Sequence, residues 1–422
     1  MANAFNKEEV VAFEQALEGF NDALILSRNI SKYTRPDVEM ERSNDTIWRP
    51  EPYIAQSHDG TDATGNFVES TQLSVPATVG YSKYSTAILS ATELRDLLQE
   101  KRLGEAAMQK LASDINVAVN NVVSNYGTLF VKRTTAAAGF DDVAQCEAIM
   151  NEQGIQSFGR YLALSTRDYN GMASNLAARQ TMQGKPVAAY EKAFVGQVAS
   201  FDTYKLDYAR SLTAAAGGGS LTIDTRASAS NYYTPRSTSV GADGQVSNVD
   251  NRFQTITISS TVSVAAGDAF TIANCYAVHH ITKQSTGELK TFRVISRPSD
   301  TTLVISPPII SAQGGTDAEL QYQNVSFSAT ASNAAIVFLN TVTARVNPFW
   351  VKDAVELMPS RYAVPTGAGA EVMKASTDQG IEVVMQKQYD INTMKTKYRW
   401  DIRFGVTMLQ PEMAGLMLFS QT

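Results

Sequence analysis

The segment from Thr92 to Tyr126 constrains the fold more than any other. Leu94, Leu97, Leu98, Leu111, Ile115, Val119 and Val122 recur along it with polar residues between, the spacing of a helix that buries one face. Ser90 with Glu93 three positions on reads as its start, and Gly127 as its stop. About 35 residues at a rise of roughly 1.5 Å give a rod of roughly 50 Å. Gly104 in its interior costs about 1 kcal/mol against alanine and marks a candidate bend.

A second helix is expected over residues 6–26. Val10, Phe13, Leu17, Phe20 and Leu24 form its apolar face, Asn6 with Glu9 a capping box, and Glu14, Glu18 and Asp22 an acidic ridge at i, i+4 and i+8. Such a ridge either faces solvent or meets a basic partner. Between Asn44 and Ser90 the period changes to two, with Trp48, Phe67, Leu73, Val75 and Tyr84 to Leu89 in two strand-like arms around a turn-rich tip at His58 to Asn66. A two-stranded ribbon is marginal alone, so this hairpin needs a surface to lie on, and another subunit can supply one.

Residues 140–210 read as α/β, with helices near Asp141 to Gln153 and Thr166 to Ala178 and a strand at Tyr161 to Leu164. After Gly217, Gly218 and Gly219, which read as a hinge, the texture becomes a run of short strands. These are expected at Leu221 to Asp224, Arg252 to Val264, Ala269 to Ile272, Lys290 to Ser296, Thr302 to Ser306 and Leu320 to Phe327, closing into a small barrel or sandwich. Asn231 to Asn248 is a long polar loop without a strand pattern. From Asn340 the mixed texture returns, with strands at Gly380 to Gln386 and Tyr398 to Met408. The β-unit therefore reads as an insertion in a larger host.

At 422 residues, 44% apolar and 18% charged, the composition is that of a folded globular chain. Neither a membrane span nor a basic secretory leader is expected. A net charge of -6 without a basic stripe argues against tight duplex binding. Cys146 and Cys275 are too far apart for a disulfide framework, and Cys146 reads as a buried structural thiol. With only His58, His279 and His280, a metal site or a histidine-based triad is not expected, and no cofactor is. The paired carboxylates Asp141 with Asp142, or Asp243 with Asp250, leave open a polysaccharide-processing enzyme; surface aspartates in turns are the commoner explanation.

Four runs carry a resemblance: Ser43 to Pro50 (SNDTIWRP), Thr92 to Asp96 (TELRD), Val249 to Phe253 (VDNRF) and Asn347 to Trp350 (NPFW). Their order and spacing resemble the coat proteins of short-tailed phages of the Salmonella type across nearly the whole chain. The resemblance implies an α+β chain with the tailed-phage major capsid fold, called the Hong Kong ninety-seven fold, carrying an inserted small β-barrel domain. It implies an N-terminal arm at 1–43, an extended hairpin loop at 44–90, a spine helix and peripheral domain at 91–135, and an axial domain at 136–220. The inserted β-domain is then 221–345, with its long loop at 231–248, and 346–422 returns to the peripheral and axial domains.

The function implied is that of a non-enzymatic major capsid protein. It would assemble with a scaffolding protein into an icosahedral procapsid of hexamers and pentamers in the host bacterial cytoplasm, mature, and enclose DNA. Its partners would be itself, a scaffolding protein, a portal protein and double-stranded DNA through weak non-specific contact, with no membrane. Glu14, Glu18 and Asp22 are then the candidate scaffold contact, and Trp48, Asp59, Asp62, Arg236, Asp243 and Asp250 the candidate inter-subunit contacts. Where the best-known relative has a tryptophan and a close acidic pair in the long loop, Tyr232, Tyr233, Arg236 and Asp243 stand here. An encapsulin-like compartment shell of the same fold is the other alternative.

Overall fold

The computed structural model describes residues 7–33, 46–52, 54–55, 61–62, 64, 67, 69–93, 97–178, 195–216, 221–223, 233–259, 264–327, 334–364 and 370–422. The chain divides into two compact units. One comprises Met1–Ile47, Ala77–Val122 and Val355–Thr407; the other comprises Trp48–Pro76, Val123–Ala354 and Met408–Thr422. The C-terminal stretch 346–422 is shared between the two, with 355–407 in the first unit and 346–354 and 408–422 in the second.

In the first unit, helix α1 (Lys7–Ala23) buries Phe13, Ala16 and Phe20, as its periodicity requires. The long helix α2 is described over Leu97–Tyr126; residues 94–96, where the sequence places its first turn, lie outside the described residues. The capping pair does form ahead of it, since the Ser90 amide donates to Glu93 Oε2 at 2.8 Å and the Glu93 amide to Ser90 Oγ at 3.4 Å. A six-stranded sheet completes the unit, and its longest strand is Lys395–Met408. Tyr398, Trp400, Ile402 and Phe404 bury alternate positions along that strand, the signature of period two. Tyr81–Ser90 pairs antiparallel with it in unbroken register from Lys395 opposite Ser90 to Phe404 opposite Tyr81. That pairing corrects the expected hairpin: residues 81–90 belong to the sheet, and the return arm of the hairpin is only Ser74–Thr78, paired with Thr46–Pro50.

Gly104 of α2 is buried, and a β-carbon there would meet only Trp400 Cζ2, at 3.9 Å. Ordinary contact distance means the glycine is not required by space. Gly104→Ala is expected to raise stability by about 1 kcal/mol, read as a higher midpoint in chemical denaturation.

The second unit is built on a six-stranded sheet of Leu129–Lys132, Ala414–Leu418, Asn347–Val351, Arg160–Ser165, Phe201–Leu206 and Gln197–Val198. Two of its strands, Asn347–Val351 and Ala414–Leu418, are buried at every position, the pattern of strands covered on both faces. Helices α3 (Phe140–Glu152) and α4 (Thr166–Ala177) pack Val143, Cys146, Met150, Tyr169 and Met172 into the same core. Cys146 is buried, and desolvation with the neighbouring Asp142 pushes its thiol far up, away from the thiolate. Asn347 explains part of its motif: it accepts from the Ser165 amide at 2.7 Å and donates to Asp168 at 3.0 Å, tying two strands to the start of α4.

The insertion leaves and rejoins this sheet on adjacent strands, Ser211–Leu212 and Ala344–Arg345, which pair antiparallel. Asn340 fastens the junction, its Nδ2 donating to Thr213 O and to Asp268 Oδ1, each at 2.9 Å. The glycines read as a hinge, 217–219, lie outside the described residues. Beyond them, seven strands follow the order Thr222–Ile223, Ala334–Phe338, Ala269–Val278, Ser285–Ser296, Thr302–Ser306 and Gln254–Thr257, with Val325–Phe327 beside Ala269–Val278. A bridge between Ile223 and Ile258 joins the first strand to the last, closing the sheet into a barrel. Phe270 and Phe292, paired across strands and stacked with centroids 5.7 Å apart, fill it with Ile223, Ile256, Val294, Leu303 and Ile305.

One expected strand is corrected. Leu320 to Phe327 begins as helix α5 (Asp317–Tyr322), and only Val325–Phe327 is strand. Thr316 caps α5 by accepting from the Glu319 amide, so the sequence Thr316-Asp317-Ala318-Glu319 was a helix start.

Candidate assembly surfaces

Residues 236–251 form the first surface. Asn251 closes its neck, accepting from the Arg236 amide at 3.1 Å and donating to the Arg236 carbonyl at 2.9 Å, while Tyr233 Oη donates to the same amide oxygen at 2.9 Å. Above this clamp the polar loop does hold strands, contrary to the sequence reading: Thr238–Val240 pairs antiparallel with Val246–Asn248. The turn uses Asp243-Gly244, with Gly244 at φ +76° and Asp243 accepting from the Gln245 amide at 3.2 Å. Aspartate followed by glycine is the signal that would have found this hairpin. Val240 and Val246 stand opposite each other and are 70% and 67% exposed. A two-stranded ribbon with an outward valine pair gains nothing from those side chains within its own subunit.

Arg236 and Asp243 are exposed on this hairpin. Asp250 is different: its carboxylate is held by Arg252, Oδ1 at 2.9 Å from Nε and Oδ2 at 2.6 Å from Nη2, while Arg252 Nη1 reaches Met408 O at 2.7 Å. Both oxygens are thus engaged within the chain.

The extended loop is the second surface. Trp48 is half-buried in its outgoing strand; Asp62 is exposed, and hydrogen bonds from the Thr64 side chain and from the Thr64 amide, the latter at 2.9 Å, lower its carboxyl from the usual range. Phe67 is 87% exposed, whereas Asp59 lies outside the described residues. The base of the loop lies on the same chain's inserted domain. Leu73 packs with Ile310 and Tyr322, Tyr322 Oη donates to Thr71 O at 2.8 Å, and Ser74 bridges to Asp250.

The third surface is α1, where Glu14 and Glu18 are both exposed. Asp22 is on the same helix, its side chain outside the described residues.

A cleft of about 260 Å³ opens beside the loop base, lined by Glu51, Leu73, Arg252, His280, Ile310 and Glu412 among others. Lys290, itself fully buried, pairs with Glu412 at 2.5 Å. Burial raises the Glu412 carboxyl, but Lys290, His280 and two hydrogen bonds outweigh it and leave it lowered. Burial pushes Glu51 up to about 7, helped by Glu412 and Asp250 and opposed by Arg252. His280 moves the other way, burial taking it down to about 4.

The signs follow from proton linkage. Folded Glu51 keeps a proton that the unfolded chain releases between 4.5 and about 7, so its contribution is full below that window and lost as pH rises through it. His280 contributes above its ordinary 6.5 and loses that contribution as pH falls toward 4. Glu51→Gln is therefore expected to be more stable than the parent at about pH 8 and no more stable below about pH 4.5, measured by denaturation at both.

The sequence model of the family described as P22 coat protein, gene protein 5, matches residues 1–420. The chain belongs to the P22 coat protein family. It is accordingly a phage major capsid protein, a structural protein of the icosahedral shell, with the α+β tailed-phage capsid fold and an inserted barrel. Coat proteins of this family are structural in general, which removes the support for the polysaccharide-processing reading of Asp243 and Asp250. Among solved structures, the CUS-3 coat protein I-domain is 38% identical, covering 29% of this chain and 98% of that one with a TM-score of 0.22. The capsid of the cyanophage P-SCSP1u is 10% identical over 94% of this chain and 89% of that one, with a TM-score of 0.44. A chain from Mycobacterium phage Che8 is 8% identical over 93% and 90%, also at 0.44.

Proposed function

We propose that this coat protein assembles with a scaffolding protein, in the host cytoplasm, into a procapsid of hexamers and pentamers. The procapsid carries a portal protein, matures by rearrangement of the two units, and encloses packaged double-stranded DNA. The observation that carries the reading is the clamped hairpin at 236–251, anchored at its neck by Asn251 and exposed above it. An anchored, outward ribbon bearing Arg236 and Asp243 suits a contact between capsomers. Many such modest contacts sum to a stable lattice.

Particle yield by sedimentation and negative-stain microscopy tests this. Arg236→Glu with Asp243→Lys is expected to cut yield severalfold while the free subunit stays folded; unchanged yield removes both residues from the contact. For the scaffold, Glu14→Lys with Glu18→Lys is expected to weaken scaffold-dependent assembly most at low salt, because exposed charge pairs are screened beyond about 10 Å at 0.1 M. Equal assembly at low and high salt would reject the acidic ridge as the docking site.

A further inference from the structure

The base of the extended loop is held to the inserted barrel by a small apolar cluster and by hydrogen bonds. Leu73 packs with Ile310 and Tyr322, and Ile54 and Tyr233 lie against them. The Thr71 amide donates to Gln321 Oε1 at 3.2 Å, and Tyr322 Oη donates back to Thr71 O at 2.8 Å. Across the base, the Glu51 amide donates to Leu73 O at 2.9 Å, tying the outgoing arm to the returning one. That bond sets Glu51, half-buried, at the wall of the cleft beside the base, among Pro307, Pro308 and Ile310.

The groups facing Glu51 are engaged elsewhere. Asp250 has both oxygens on Arg252, at 2.9 and 2.6 Å, and Glu412 Oε1 takes Lys290 Nζ at 2.5 Å and Asn324 Nδ2 at 3.2 Å. Among the described residues the Glu51 carboxyl makes no hydrogen bond and no ion pair. Ionised, it stands beside Glu412 and Asp250 and is opposed by Arg252, whose charge Asp250 already shares. Protonated, it is an uncharged group in a largely apolar cleft. Burial takes His280, on the same wall, down to about 4, takes Lys283, which acts through Glu412, down to about 8, and pushes Tyr233 up to about 12. None of these three changes charge appreciably between pH 5.5 and 7, the interval in which Glu51 begins to ionise.

We propose that Glu51 is the trigger of a pH-operated latch: its neutral form seals the base of the extended loop onto the inserted barrel, and its charged form, beside Glu412 and Asp250, releases it. The released base carries Glu51 into water, where its ordinary ionisation returns, so each step up in pH favours the open form. Opening costs little else, because the base is tied down by a handful of side chains and not by a strand pairing with the barrel, the kind of segment that opens locally before the domain unfolds. With Glu51 moving from 4.5 in water to about 7 when docked, the open fraction grows about fifteenfold from pH 5.5 to 7. The latch is a property of the free subunit; only its use in the shell, where it would set how the loop is presented to a neighbour, rests on the assembly reading above.

The test is amide hydrogen exchange on the unassembled full-length subunit at pH 5.5 and 7, read in peptides covering 46–52 and 69–76 and corrected for the intrinsic pH dependence of exchange. Wild type is expected to exchange there about fifteenfold faster at the higher pH, while the barrel strand Ser285–Ser296 keeps its protection. Glu51→Gln, which is uncharged at both values, should hold the base closed and remove the rise. Tyr322→Phe deletes the hydroxyl bond to Thr71 O and should speed exchange at both values while leaving the rise in place, which separates a contact of the base from its trigger. A wild-type rise below about threefold, a rise that persists in Glu51→Gln, or a barrel strand that loses protection in step with the loop base overturns the proposal.

Discussion

Arg293→Ala is expected to lower stability by about 3 to 5 kcal/mol, a large part of the ~5–15 kcal/mol that holds a typical domain together. Arg293 belongs to the barrel's long strand, Ser285–Ser296, and its guanidinium ends α2 by taking the Ser124 and Gly127 carbonyls. Removing it leaves two buried carbonyls without donors and a void where a large side chain was fully enclosed. Each orphaned acceptor costs about 1–3 kcal/mol, and the lost favourable charge at a helix C-terminus adds to that. Arg293→Lys is expected to recover only part of the loss, since one ammonium cannot reproduce a planar fork. Urea denaturation followed by tryptophan fluorescence measures both variants, and a loss below about 1 kcal/mol for alanine would show that water serves the carbonyls equally well.

Arg293 also illustrates what the sequence did not disclose. The periodicity of α2 and its glycine stop were legible, because apolar spacing and capping are local signals. Nothing local links residue 293 to residues 124 and 127. The barrel strands were legible as short apolar runs, and the closure between Ile223 and Ile258 follows once the strands exist. Two elements were misread because a wider texture masked a short motif: α5 behind an apolar run, despite Thr316 and Glu319, and the hairpin at 238–248 behind a polar loop, despite Asp243-Gly244. Asp250 looked like a free surface carboxylate; its pairing with Arg252 is a contact between near neighbours that residue type alone does not distinguish from two solvated charges. The four motifs were recognisable before their physical roles were. Asn251 turns out to close a neck and Asn347 to join strands to α4, both by satisfying backbone groups that would otherwise be buried bare.

Val240→Asp combined with Val246→Asp is expected to abolish shells, the largest effect on assembly among the substitutions considered, while leaving the isolated subunit's stability within about 0.5 kcal/mol of the parent. The reasoning turns on where these side chains spend their surface. They are 70% and 67% exposed on a ribbon whose neck, and not its tip, is tied to the barrel. Polar substitution at such positions therefore removes little from the folded subunit. If the ribbon is buried against a neighbour, each valine is worth about 1.5 kcal/mol or more at the contact, and an aspartate in its place adds the cost of desolvating a charge. A shell repeats that loss at every copy, so a per-contact penalty of a few kcal/mol removes the lattice altogether. Val240→Ala with Val246→Ala, which deletes apolar area without adding charge, is expected to give a smaller defect that partly recovers at higher protein concentration. Wild-type yields from both pairs would mean that the ribbon faces solvent in the assembled particle.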